Sequence, residues 1–293
     1  MKKVFQEFCD THKGKFDFVK PLGESTNLLK TVKSNQLFVF KCLISKKDYT
    51  GSIEIFRNRM NKAISLCPNR VIEPEEIGEL NKEFYKIYTY HNHSLKDLIS
   101  RNQYTALDAI KLIIEILDTV EILHSGNIIH GNIKPSNIFL NDYGKILLND
   151  FAFEKTGEPS IYHDPNIVSK VPNIYSDIYS IGMIFYELLS WDKNIKTIIP
   201  ELHIPGNLFT VIEKACLLKK DDRFKNIAAF KENLLLSYKP VLNTSHLKGF
   251  FLKQSKEEDK KKTKRSTSKQ LAFYGLLYLI AIIVIIYMYF RNY

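Results

Sequence analysis

The chain has 293 residues, 45% hydrophobic and 25% charged, which suits one large domain with appendages and excludes a long disordered polymer. Four scattered cysteines, Cys9, Cys42, Cys67 and Cys216, form no CxxC pair; neither a disulfide framework nor a zinc site is expected, and a reducing compartment fits better. The net charge is +10, but residues 253–269 hold eight basic and three acidic side chains, so that stretch alone carries +5 and the rest is too mildly basic for a nucleic-acid partner.

In chain order, the first fourteen residues read as an extension without an apolar signal core. LFVFKCLI (37–44) and EFYKIYTY (83–90) are rich in branched and aromatic residues and read as strands. Between them, 51–66 reads as a helix, with Ile53, Phe56, Met60 and Ile64 at three- and four-residue spacing. Thr105 with Asp108 forms a capping-box pattern, and Leu107, Ile110, Ile114 and Leu117 make an apolar stripe running to about His124. Short strands are expected at 138–140 and 146–148. Further helices are expected from Ser176, over 208–218 and over 227–236. The order predicts an α+β, two-lobed domain over 15–238, with a small β-rich lobe before a larger helical one.

Residues 239–270 read as a basic linker. LAFYGLLYLIAIIVIIYMYF (271–290) follows, with no charge over its length. At about 1.5 Å rise per residue it would span roughly 30 Å as a helix, the thickness of a bilayer core. Lys260, Lys261, Lys262, Lys264, Arg265 and Lys269 precede it, so a single-pass tail anchor with the main domain in the cytoplasm is expected. That basic run either contacts anionic lipid or only sets topology.

Several motifs in fixed order resemble a protein kinase domain. PLGESTNLLK is similar to the glycine-rich loop, with Gly23 kept and Ser25 and Leu28 where further glycines would stand. FVFK ends at Lys41 and resembles the strand whose lysine neutralises ATP phosphates. The resemblance puts Ala63 near the place of that lysine's helix glutamate, with Glu54 a distant substitute. It puts Ile87 at the gatekeeper and Tyr88 to His91, including Tyr90, at the adenine hinge.

IIHGNIKPSNIFL resembles the catalytic loop HRDxKPxN, with His130, Lys134, Pro135 and Asn137 matching. Asn132 replaces the catalytic base. An amide can hydrogen-bond a hydroxyl but cannot take its proton at neutral pH, and loss of a positioned base costs roughly 10²- to 10⁴-fold. Gly131 replaces the arginine. Asp150-Phe151-Ala152 is close to DFG, so the resemblance implies Asp150 and Asn137 as magnesium ligands and Lys134 near a γ-phosphate. Asp164-Pro165-Asn166 resembles APE without its glutamate, so Arg223 of KKDDRF needs another partner. Thr156, Ser160 and Tyr162 lie in the short segment between and are phosphorylation candidates. Asp177 matches the structural aspartate of the following helix.

KDYTGSIEIFRNRMNKAI (47–64) resembles the mixed lineage kinase domain-like family of pseudokinases. That resemblance implies binding of an upstream receptor-interacting kinase of necroptosis rather than catalysis, and frequent Ile, Lys and Asn suit a viral source. Three readings stand at this level. The first is a tail-anchored pseudokinase acting on a partner kinase or signalling complex, with ATP and Mg²⁺ retained or lost. The second is a divergent active Ser/Thr kinase using ATP. The third is a structural tether.

Overall fold

In the first ninety positions, apolar residues alternate along several runs, and the chain folds there into a five-stranded antiparallel sheet. The structure is a computed structural model that describes residues 2–23, 26–45, 52–81, 83–101, 104–152, 160–166, 171–190, 204 and 206–242. Helix α1 (Lys2–Thr11) comes first. It is followed by β1 (Phe16–Gly23), β2 (Thr26–Thr31), β3 (Leu37–Ser45), α2 (Ile53–Leu66), β4 (Glu76–Leu80) and β5 (Glu83–Thr89). The strand order is β1-β2-β3-β5-β4.

One face of this sheet is covered by α1. Directly opposed residues of antiparallel strands share a face. Phe38, Phe40 and Cys42 therefore point one way with Leu29, Tyr85 and Ile87, and α1 packs on them through Val4 and Phe8. The Phe8 ring lies 4.8 Å from Phe40 and 5.5 Å from Tyr85. The extension expected over 1–14 is thus an amphipathic helix that closes the outer face of the sheet.

The helical lobe contains α3 (Leu95–Arg101), α4 (Ala106–Ser125), β6 (Ile138–Leu140), β7 (Ile146–Leu148), α5 (Ile174–Ser190), α6 (Gly206–Ala215) and α7 (Ile227–Leu242). The helices expected at 51–66, after Thr105, near Ser176, at 208 and at 227 are all present, and Thr105 and Asp108 form the reciprocal cap. The apolar stripe on α4 is broader than expected. Leu107 and Ile114 are half-buried, whereas Ile110, Ile113, Ile116, Leu117 and Val120 form the buried face. The reason is that α4 lies inside the lobe with neighbours on several sides. Almost all of α5 is buried too, and α6 crosses it at Gly182, where a Cβ would stand 2.6 Å from Cys216 Sγ and 2.8 Å from Ala215 Cβ. The two lobes are joined where Leu148 N–H donates to Arg70 O (2.8 Å) and Ile72 N–H donates to Leu148 O (2.9 Å).

No helix among the described residues is long and apolar enough to cross a membrane. The stretch 271–290 and the basic run 260–269 lie outside the described residues, as do Ser25, Lys47 to Thr50, Gly51 and Thr156.

Candidate nucleotide site

The sheet places two rows of side chains over the gap between the lobes. One row runs Leu28, Val39, Tyr88 across β2, β3 and β5, because Leu28 pairs with Val39 and Val39 with Tyr88. Val39, Tyr88, Ile72 and Leu147 belong to one buried cluster, with Tyr90 and Phe139 packed against it. This apolar cluster, the slot of the site, lies at the junction of the lobes. Gly23 ends β1 and pairs with Thr26.

This register corrects the gatekeeper. Ile87 pairs with Phe40 and packs into the outer cluster beneath α1, away from the slot. Tyr88, expected in the hinge, takes the inward position, and Tyr90 N–H is bonded to Leu37 O (3.0 Å). A one-residue slip in assigning the strand turns every side chain to the other face.

The next row is Lys41 opposite Lys86. Lys41 Nζ pairs with Asp150 Oδ2. Lys86 Nζ lies 2.7 Å from Asp150 Oδ1 and donates to Asn149 Oδ1 at 2.6 Å, with the Tyr88 ring 5.0 Å away. Lys86 and Asp150 are both buried. Burial pushes the Asp150 carboxyl up, but Lys86 and Lys41 outweigh it and hold it well below the usual carboxylate range. Burial and Lys41 lower Lys86, and Asp150 pulls it back up. Asp150 has φ +59°, an uncommon backbone state for a residue with a side chain. Lys86 was missed because a lysine on a strand reads as solvent-facing; only the inward alternation with Tyr88 could have found it.

Ala63 is buried and brings no charge to this cluster. Glu54 is on the exposed side of α2, 2.8 Å from Arg57. The α2 side chain that does reach the gap is Arg59, which donates to Ala152 O and Ile129 O.

The loop 130–137 is held from below. Asp177 on α5, fully buried, accepts from His130 N–H (2.9 Å) and Gly131 N–H (2.7 Å) and lies 2.8 Å from His124 Nε2. His130 stacks on Phe151 at 4.3 Å between ring centres. Gly131 has φ +73°, and a Cβ there would meet Pro172 at 2.6 Å, so the position excludes the arginine of the family pattern. Asn132 Nδ2 donates to Asp150 O (2.9 Å), and Asn137 Nδ2 donates to Asn132 O (2.9 Å). Lys134 O accepts from Asn137 N–H (2.8 Å) and opens the turn Pro135–Asn137.

The acid missing from 166 stands at Asp164. Arg223 Nη2 donates to Asp164 Oδ1 at 2.9 Å and Nη1 to Oδ2, and both residues are buried. Of the phosphorylation candidates, Tyr162 donates its hydroxyl to Glu187 (2.6 Å), and the Ser160 hydroxyl is buried. A cavity of about 500 Å³ lined by Leu98, Tyr104, Leu112 and Leu188 lies in the helical lobe, apart from this chemistry.

The two lobes, the lysine on β3, the Asp177 anchor and the loop between them define a protein kinase fold. The chain belongs to the protein kinase domain family, which matches residues 22–271. It is 27% identical over 195 residues to calcium/calmodulin-dependent protein kinase type 1 of Caenorhabditis briggsae, covering 60% of this chain and 54% of that one. It is 30% identical over 138 residues to a probable serine/threonine-protein kinase PknB of Lactococcus lactis, covering 42% and 22%. It is 24% identical over 153 residues to a probable serine/threonine-protein kinase pknA2 of Bifidobacterium longum, covering 47% and 20%. The chain thus spans between about a fifth and about half of the length of these relatives.

Members of such a family hold ATP with magnesium. The two lysines suit the phosphates of a nucleotide. The donor set does not suit magnesium, which takes hard anionic oxygens in octahedral geometry. Both Asp150 oxygens face ammonium groups, and Asn137, a buried neutral amide whose nitrogen is bonded to Asn132 O, would offer only its uncharged oxygen.

Proposed function

We propose that this kinase-family domain binds nucleotide, transfers no phosphoryl group, and acts by engaging a partner signalling kinase at a membrane. The observation that carries the reading is Asn132. Its amide nitrogen is bonded to the Asp150 carbonyl, so the group in the base's place braces the loop. A carbonyl oxygen only accepts, which fixes the nitrogen on that side. Three departures support the same reading: the helix glutamate is absent, Gly131 excludes an arginine, and the two candidate hydroxyls at 160 and 162 are buried or bonded. The membrane part rests on the uncharged stretch 271–290 and the basic run before it. The particular partner, a necroptosis kinase, rests on the resemblance of 47–64 alone.

A second reading, an active Ser/Thr kinase, is favoured by the names of the relatives, which are Ser/Thr kinases, and by the pairing of Lys41 with Asp150, to whose carbonyl the Asn132–Asn137 chain of hydrogen bonds leads. Phosphate transfer from labelled ATP by the full chain, beside a Lys41→Met control, separates the two. No transfer by either protein is expected. Transfer that Lys41→Met abolishes would establish an enzyme and overturn the proposal. Nucleotide binding is expected to weaken in Lys41→Met and to change little in Asn132→Ala.

A further inference from the structure

We propose that Lys86 is the resident cation of the cleft: its ammonium takes the place beside Asp150 that a divalent metal would hold, so nucleotide binds without magnesium. This rests on the reading of the cleft as a nucleotide site.

The family arrangement puts one lysine, one helix glutamate and one aspartate at this point, a sum of −1 that repels phosphate until metal is added. Here the glutamate is gone and a second lysine has entered. Lys41, Lys86 and Asp150 sum to +1, which attracts a polyphosphate unaided.

Lys86 is buried, and a buried ammonium persists only when its partners are in place. Asp150 Oδ1 at 2.7 Å and Asn149 Oδ1 at 2.6 Å, with the Tyr88 ring at 5.0 Å, supply them and fix the rotamer. A divalent ion approaching Asp150 would have to expel this ammonium and would still sit beside Lys41. Lys86 touches no phosphate in this scheme. It cancels the carboxylate that would otherwise oppose one, which makes it a positioning residue for the anion.

The test is binding of a fluorescent ATP analogue to the full chain in detergent, in EDTA and in millimolar magnesium, together with the Mn²⁺ electron paramagnetic resonance signal of the nucleotide complex. Wild type should bind equally in the two buffers, within about twofold, and should leave Mn²⁺ free. Lys86→Met should lose about tenfold in EDTA, regain affinity with magnesium and immobilise Mn²⁺. Lys86→Arg should behave as wild type. Wild-type binding that EDTA abolishes, or Mn²⁺ held by the wild-type complex, would overturn the inference while leaving the nucleotide reading intact. Absence of binding in both buffers would overturn the nucleotide reading and the inference with it. If Lys86→Met does not fold, the two wild-type measurements and Lys86→Arg decide.

Discussion

Asp164 and Arg223 meet fork to fork in the interior, and Arg223 also donates to Leu217 O (2.6 Å) and lies over the Tyr179 ring. Removing one partner of such a pair strands the other charge, at a cost of about 3–5 kcal/mol. Asp164→Ala will lower the urea midpoint accordingly, and an unchanged midpoint would show that the pair holds nothing. Arg223 could be read from its motif, but its partner could not, because the pattern places the acid two residues later. His130 makes a second prediction. Burial, the largest influence, pushes its imidazole down to about 4, against an upward pull from Asp177. An unfolded histidine titrates near 6.5, so between these values the unfolded chain binds a proton that the folded chain refuses. Stability therefore falls as pH drops from about 6.5 toward about 4, by at most about 1.4 kcal/mol per unit from this group. His130→Phe keeps a ring against Phe151, and thermal unfolding across this range should show a shallower acid slope than wild type.

Helix α1 is the element that a reading by motif passes over. Its sequence is short and largely polar, and it lies before the residues that match the family. The reason to form it comes from the other side of the contact: Phe38, Phe40, Tyr85 and Ile87 line a sheet face that needs covering. The same four residues explain the mistaken gatekeeper, since an apolar strand residue can serve either face and only pairing chooses between them. Phe8 is fully buried in that contact. Phe8→Ala should cost about 3–5 kcal/mol by denaturant titration. A loss below about 1 kcal/mol would mean that α1 rests on the sheet without bracing it. Other elements were plain beforehand. α2 has its apolar spacing and α4 its cap at Thr105, and both are local signals that no partner strand can reverse.

For the molecule as a whole, the two-lobed order was legible because strand-rich and helix-rich compositions fall on separate halves of the chain. The polar cluster was less so. Lys41 and Asp150 carry recognisable neighbours, whereas Lys86 gains its meaning only from the strand opposite. Deleting 271–293 should move the protein from the membrane pellet to the supernatant without shifting its thermal unfolding, and continued sedimentation would mean that another part of the chain holds it. Asn132 carries one more consequence. Asparagine and aspartate codons differ by a single base, so the carboxylate of the family pattern is genetically close at hand. Chemically it is remote. The oxygen replacing Asn132 Nδ2 would face the Asp150 carbonyl oxygen across the 2.9 Å now spanned by a hydrogen bond. The reverting allele would inherit repulsion before it regained a proton acceptor, and selection would have to rebuild the surrounding loop to make the change useful.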